Sequence, residues 1–374
     1  MPVSIIDSTS TQRAVHYDVG CAIKLAAFPK VTIIIVNMNG RHHLQKCLPS
    51  VFKQNYDDYE VMVVDNASTD GSIDYIEQNF PKIRIIKNGT NFGYAGANNV
   101  GFQKASGEYI AVLNPDTQVH PDWLLELIKA LQDMPKAGLA TPKILLMDQP
   151  NLINTCGNNI TYTGLTVCRG LQQPACLFTE ACKVPAVSGA AFVIKKEVLD
   201  KIGGFDENFF TYYEETDLSL RALLAGYECH YVPASIILHK YAFRFSSEKC
   251  YYQERNRYYS LLKTFKWPTF IALFPELLIS EILAWGYAIL KGPEHIQSKL
   301  NSYAWLIQNR QTIHESRVKT QKLRRVSDHA MIKQFSHQLT FAQTISPSIA
   351  RILEAVINPI LFLLGKASCM IVRW

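Results

Sequence analysis

The sequence predicts an α/β fold, a mostly parallel sheet flanked by helices, followed by a helical C-terminal appendage. Three observations carry this expectation. Short β-branched runs such as Val31–Val36 alternate with stretches of helical apolar spacing from residue 31 to about residue 134. Such alternation is the pattern of strands and crossover helices. Polar clusters stand at the ends of the runs, at Asn37-Met38-Asn39, Asp65-Asn66 and Asn114-Pro115-Asp116. Beyond about residue 255 the chain turns apolar and helical.

The elements follow in order. Val31–Val36 is an unbroken apolar run, as expected of a strand buried on both faces. Leu44, Leu48, Val51 and Phe52 at helical spacing predict a helix, and Tyr59–Val64 a second strand that stops at Asp65. Ser72–Phe80 reads as a helix, Ile83–Ile86 as a strand, Tyr94–Ala105 as a helix and Tyr109–Leu113 as a strand. Pro121–Met134 is a further helix with proline at its start. In sheets of this kind ligands bind outside the carboxyl ends of the strands, where the polar clusters fall.

Three regions are expected: an N-terminal extension over 1–30, an α/β domain over 31–265 and a helical region over 266–374. Trp267–Gly292 is largely apolar, but Glu276, Glu281, Pro268 and Pro275 interrupt it. A spanning helix needs about 20 apolar residues with few charges, so the expectation is a helix on or partly in a membrane interface. A buried helical subdomain is the alternative. Ala355–Leu364 is a second apolar run, too short to span alone and flanked by Arg351, Lys366 and Arg373. The basic stretch Arg317–Arg325 suits an anionic membrane surface or a solvated helix face.

Composition narrows the functional classes. With 48% hydrophobic and 19% charged residues the chain is a folded globular protein. A net charge of +6 without a dense basic stripe argues against nucleic acid as a partner. The nine cysteines include no Cys-x-x-Cys pair, which argues against structural zinc. No charged segment followed by an apolar stretch and a cleavage site opens the chain, so reduced cysteines and a cytoplasmic protein are expected.

The chemistry-bearing stretches lie in a fixed order. Val63–Ser72 places Asp65 just past a strand, where a carboxylate can accept hydrogen bonds from a base or ribose, and Ser68, Thr69, Asp70 and Gly71 build a tight turn. Asn91–Asn99 is rich in asparagine and glycine. Leu113–Thr117, Val187–Ile194, Tyr212–Arg221, Ile237–His239 and Tyr251–Arg257 follow.

Together, from Val31 to roughly Phe265, these stretches resemble family 2 glycosyltransferases of the GT-A fold, and within them the rhamnosyltransferase-like subgroup. The resemblance implies an inverting transfer of a sugar from a nucleoside diphosphate donor. L-rhamnose from dTDP-L-rhamnose is the expected donor, with hexose, galactofuranose and amino-sugar donors as alternatives, and a glycan or lipid-linked acceptor of bacterial surface polysaccharide synthesis the expected recipient. It implies donor contacts from Asn37, Asn39, Asp65, Asn91, Gly93, Asn98, Asn114, Ser188, Gly189 and Arg255. Asn114-Pro115-Asp116 occupies the family's Asp-x-Asp position, with asparagine in the first acidic place. Asp116, with His239, would hold a divalent cation, Mg²⁺ or Mn²⁺. The family's Glu-Asp pair is Glu214-Glu215 here, so Glu215 is the expected catalytic base, with Glu214 and Asp217 capping the helix and Asp206 structural. For Arg255, anchoring a helix to the core is the competing role. The implied location is the inner face of the cell membrane, peripheral to it.

Two other readings remain. A nucleotidyltransferase would carry a glycine-rich basic loop after the first strand, whereas Asn37–His43 has a single glycine. A non-catalytic relative has only the substitutions at Asn114 and Glu215 in its favour.

Overall fold

The computed structural model describes residues 29–241, 246–341 and 347–374. The expected N-terminal extension, apart from its last two residues, lies outside them. The first half of the domain follows the predicted alternation closely. β1 (Val31–Asn37) leads through α1 (Arg41–Val51) to β2 (Tyr59–Asp65), and α2 (Ser72–Asn79) to β3 (Arg84–Lys87). Then come α3 (Gly93–Lys104), β4 (Tyr109–Leu113), the short β5 (Thr117–Val119) and α4 (Trp123–Asp133).

The second half holds what periodicity did not show. β6 (Ala137–Leu146) and β7 (Gln149–Thr155) form a hairpin, and β8 (Asn158–Ile160) pairs with β9 (Thr166–Cys168) in a separate two-stranded sheet. β10 (Cys182–Val184), β11 (Ala191–Lys195), α5 (Lys196–Ile202), α6 (Glu214–Leu224) and β12 (Glu228–His239) complete the domain. The main sheet runs β10-β12-β6-β11-β4-β1-β2-β3. It is parallel from β3 through β2 and β1 to β4, and mixed beyond, because β11 lies antiparallel between β4 and β6.

That reversed strand positions the site. Ala191 of β11 pairs with Leu113 of β4, so the turn before β11 comes to the rim where β4 ends. β12 runs parallel to β6 and its last residues pair with β5, which brings His239 opposite Thr117 on the same rim. Two apolar layers clamp the sheet. Leu44, Leu48, Trp123 and Leu127 of α1 and α4 cover one face. Ala95, Phe102, Val198 and Leu218 of α3, α5 and α6 cover the other.

Among the described residues seven helices follow: α7 (Ser247–Thr264), α8 (Trp267–Ala272), α9 (Phe274–Lys291), α10 (Pro293–Gln308), α11 (Arg310–Lys322), α12 (Asp328–Ile332) and α13 (Pro347–Ile371). The basic stretch is divided: Lys319, Lys322 and Arg325 are exposed, while its other basic residues turn inward. Arg317, Gln321 and Arg324 donate to the carbonyls of Leu262, Lys263, Thr264 and Phe265, satisfying the acceptors that the end of α7 leaves open. α13 is also longer than its apolar run suggested; Ser348–Ile371 is long and apolar enough, by length and composition, to cross a membrane.

Candidate active site

The parallel register sets Asn37 beside Asp65 at the ends of β1 and β2. Asn37 Nδ2 donates to Asp65 Oδ1 at 3.1 Å and to Ser68 Oγ at 3.0 Å, while Asp65 Oδ2 accepts the Ser68 amide at 3.0 Å. Asn39 is exposed and ties into the same turn, receiving the Thr69 amide on Oδ1 at 2.8 Å. Both oxygens of Asp65 are thus engaged in ordering this loop, each with a lone pair to spare. Asn37 Oδ1 is buried with no hydrogen-bond partner, an acceptor at the head of the loop that polar ligand chemistry could use.

A residue without an assigned role joins this loop to the next. Asn66 is buried, donates to Asn91 Oδ1 at 2.6 Å and to the Gly93 carbonyl at 3.2 Å, and accepts the Phe92 amide at 3.0 Å. Asn91 also receives the Gly93 amide at 2.8 Å. Gly93 has φ +70°, and a Cβ there would lie 2.5 Å from the Phe210 carbonyl oxygen. Glycine is required twice at this point, for its left-handed backbone and for the close approach of the 209–213 loop.

At the centre of the rim stand Asn114 and Asp116. The Asn114 amide donates to the Ala190 carbonyl at 2.9 Å, fixing it to the turn that carries Ser188 and Gly189. His239 Nε2 lies 3.3 Å from Asp116 Oδ1, and its Nδ1 is 2.8 Å from Asn154 Oδ1. Burial pushes the Asp116 carboxyl up, but the hydrogen bond and charge of His239, with His43 nearby, hold it below the usual carboxylate range. Among the described residues no three His, Cys, Asp or Glu side chains converge as a metal site. What this rim offers a divalent cation is the Asp116 carboxylate, the His239 imidazole held by its far nitrogen, and the buried, unpartnered Oδ1 of Asn114. Oxygen and imidazole donors of this kind fit Mn²⁺ or Mg²⁺, with few protein ligands and room for phosphate oxygens.

The third wall is the start of α6. Phe210, Tyr212 and Tyr213 all have positive φ, at 62°, 64° and 73°. Left-handed backbone at three bulky residues is costly and persists only where the surroundings enforce it. Here Asn256 enforces it: its Nδ2 donates to the carbonyls of Phe209 at 3.1 Å, Thr211 at 2.9 Å and Tyr212 at 2.7 Å. The loop delivers Glu214 and Glu215 into the first turn of α6. Glu215 is partly exposed and lies against Gly189, where an added Cβ would meet its Cδ at 3.5 Å. Its Oε1 is held by Asn158 Nδ2 at 3.4 Å. Burial raises both carboxyls, Glu214 more so because the charge of Glu215 adds to it.

Several expected roles change. Arg255 donates from Nε to Asn256 and from Nη2 to the carbonyls of Asn208 and Phe209, so it supports the strained loop rather than presenting these donors to a diphosphate. Asp217 does not cap α6. It is fully buried in ion pairs with Arg221 at 2.8 Å and Lys263 at 3.0 Å. Glu214 makes no capping bond either, and its Oε2 is buried without a partner. Asp206 is structural as expected, bonded to Lys263 and Tyr259. Ser188 is buried, its Oγ accepting the Ala190 amide, and Asn98 is buried within α3, donating to the Tyr94 carbonyl at 2.9 Å. Tyr94 was not anticipated. Its hydroxyl donates to the Gly189 carbonyl at 2.7 Å, and the charges of Glu214, Glu215 and Asp116 all bear on it.

The family model described as glycosyl transferase family 2 matches residues 32–203. The chain is 27% identical over 231 residues to the N-acetylglucosaminyl-diphospho-decaprenol L-rhamnosyltransferase of Mycobacterium tuberculosis, covering 55% of this chain and 75% of that one. It is 29% identical over 224 residues to protein y4gI of Sinorhizobium fredii, covering 56% of this chain but only 24% of that longer protein. Staphylococcus aureus TarS 1–349, solved in complex with UDP-GlcNAc, superposes with a TM-score of 0.53 at 16% identity, covering 82% of this chain and 90% of that one. Residues 32–203 are thus similar to glycosyl transferase family 2, and the α/β domain has a GT-A fold.

Proposed function

We propose that the chain transfers a sugar with inversion from a nucleoside diphosphate donor to a glycan or lipid-linked acceptor at the inner face of a bacterial cell membrane. dTDP-L-rhamnose is the donor this reading favours, supported by the mycobacterial rhamnosyltransferase relative. The observation that carries the reaction is Glu215, which lies against Gly189 in the turn to which the Asn114 amide is fixed.

The acceptor hydroxyl attacks the anomeric carbon and its proton passes to Glu215 Oε. The bond from that carbon to the diphosphate oxygen breaks, and its electron pair leaves with the nucleoside diphosphate. Only one base is needed for this displacement. A carboxylate whose proton affinity is raised by burial is a stronger base than one in water, and the proton affinity of Glu214 is raised further by the charge of Glu215. Asn37, Asn39 and Asp65 would meet the nucleotide, and Asn91, Gly93, Asn98, Asn114, Ser188 and Gly189 would shape the diphosphate and sugar pocket. A divalent cation held by Asp116 and His239 would neutralise charge on the leaving diphosphate.

The test is incubation with a panel of dTDP-, UDP- and GDP-sugars, with Mg²⁺ or Mn²⁺ and bacterial lipid extract, read by mass spectrometry of products. Transfer or hydrolysis of dTDP-L-rhamnose is expected. Preference for a hexose or galactofuranose donor corrects the sugar, and no turnover of any donor sinks the reading.

A further inference from the structure

The C-terminal helices are amphipathic with their polarity reversed. On α9, Phe274, Leu278, Ile282 and Ile289 form one stripe at helical spacing, and all four are exposed. The buried residues of the same helix are Glu276, Ser280 and Ala288. Glu281, the other charge that breaks the apolar run, turns inward to Arg257 at 2.8 Å and Lys299 at 3.0 Å. α13 repeats the arrangement: Ile349, Ile352, Val356, Ile360, Leu363 and Met370 are exposed, while Ala350, Leu361 and Ser368 face inward. The two helices meet through polar groups, Ser368 Oγ donating to Glu276 Oε1 at 2.7 Å. Trp267 and Ile271 of the neighbouring α8 are exposed as well. In water an amphipathic helix turns its apolar stripe to the core. The reverse is stable where the outer medium is itself apolar.

Charge states what that medium is. Residues 266–374 hold thirteen Lys and Arg against six Asp and Glu, an excess larger than the whole chain's net +6. Lys291, Lys366 and Arg373 are exposed on the ends of the two apolar helices. Apolar stripes rimmed by cations and by Trp267 fit the headgroup region of an anionic bilayer.

The manner of contact follows from α13. At about 1.5 Å per residue the 24-residue stretch Ser348–Ile371 could cross the hydrocarbon, but the helix is fastened along its length. Glu354 Oε1 accepts the Phe341 amide at 2.7 Å, Asn358 pairs with both the amide and the carbonyl of Leu339, Cys369 Sγ is 3.0 Å from the Tyr162 hydroxyl, and the Val372 carbonyl meets His329 at 2.8 Å. A helix docked sideways from residue 354 to residue 372 cannot cross. We propose that α8, α9 and α13 form a platform that lies in the plane of an anionic phospholipid bilayer without spanning it. The platform rests on the reading of a membrane-side enzyme and gives that enzyme its footing.

The test is flotation of the full chain with vesicles of phosphatidylcholine alone or mixed with phosphatidylglycerol. Binding to the mixed vesicles about tenfold tighter than to phosphatidylcholine, weakened by salt and reversed by a carbonate wash, is expected. The variant carrying Ile282→Glu, Ile289→Glu and Ile352→Glu should lose at least about tenfold in vesicle binding while keeping its circular dichroism and its donor hydrolysis in solution. Retention through the carbonate wash would mean a spanning helix and overturn the proposal. So would failure to bind either vesicle, unchanged binding by the variant, or a dimer that the same substitutions dissociate. Vesicle binding without turnover of any sugar nucleotide would sink the proposed reaction and leave the platform standing.

Discussion

His239 Nε2 lies 3.3 Å from Asp116 Oδ1, while Asn154 holds the opposite nitrogen of the ring at 2.8 Å. The outer partner fixes the orientation of the imidazole and so its readiness to share a cation with the carboxylate. Asn154→Leu is expected to weaken Mn²⁺ binding by about 10- to 100-fold, read by electron paramagnetic resonance titration without any sugar donor. His239→Ala should weaken it further. Unaltered Mn²⁺ affinity in both would remove His239 from the cation site.

Glu215 supplies a pH prediction whose sign follows from burial. Its carboxyl titrates above the ordinary value of about 4.3, so kcat/KM should rise with pH through that displaced value and not at 4.3. Glu215→Gln should lower kcat/KM by about a hundred- to ten-thousand-fold and abolish the acid limb. A variant that retains near-full turnover would assign the base elsewhere.

Glu214 makes the same argument for stability. Its folded-state proton affinity is raised above the unfolded one by burial and by the charge of Glu215. The stability it contributes is therefore complete below about pH 4.3 and is lost as pH rises through the raised value. Glu214→Gln should flatten the fall of the urea midpoint with rising pH. An identical pH profile in the variant would mean that Glu214 ionises normally.

The strained loop before α6 depends on Asn256 and Gly93 together. Asn256→Leu leaves three carbonyls at residues 209, 211 and 212 without their donor, at a cost of about 2 to 4 kcal/mol. Gly93→Ala sets a methyl group 2.5 Å from the Phe210 oxygen in a left-handed backbone, at a comparable cost. Both should lower kcat more than stability alone explains, because the same loop carries Glu215. Denaturant unfolding beside steady-state kinetics checks this, and a stable variant with full kcat would refute it.

How far these features could be read from sequence depends on whether they leave a local pattern. The strands and helices from Val31 to Met134 were legible within a residue or two, because burial imposes a period that neighbouring residues share. The reversed β11 and the short strands β7 to β10 were not, since three- to seven-residue strands carry too little period to set direction. Asp116, His239 and Glu215 were found through motif order. Asn66, Tyr94 and Asn256 were missed because their partners lie from 22 to 95 residues away, and such bonds leave no mark on nearby sequence. Arg255, adjacent in sequence to Asn256, serves the same loop, 46 and 47 residues distant, in keeping with the anchoring role that the sequence also offered.

The link between the catalytic domain and the C-terminal helices rests on buried charges. Lys299 of α10 is fully buried, 2.6 Å from Glu254 and 3.0 Å from Glu281, and Arg257 bridges the same two carboxylates at 3.0 Å and 2.8 Å. Tyr258 and Tyr303 donate to Glu281 as well. The four charges balance, so removing one cation leaves a carboxylate buried without compensation. Lys299→Met is expected to destabilise the protein by about 3 to 5 kcal/mol, whereas exchanging Lys299 and Glu254 together for apolar residues should cost far less. A fragment ending at residue 265 should be insoluble, because it exposes Leu220, Leu224, Leu261 and Phe265, which cluster with Met331, Ile332 and Phe335 beyond that point. A Lys299→Met protein with an unchanged urea midpoint would show that packing between α7 and α10, and not this network, holds the helices to the domain.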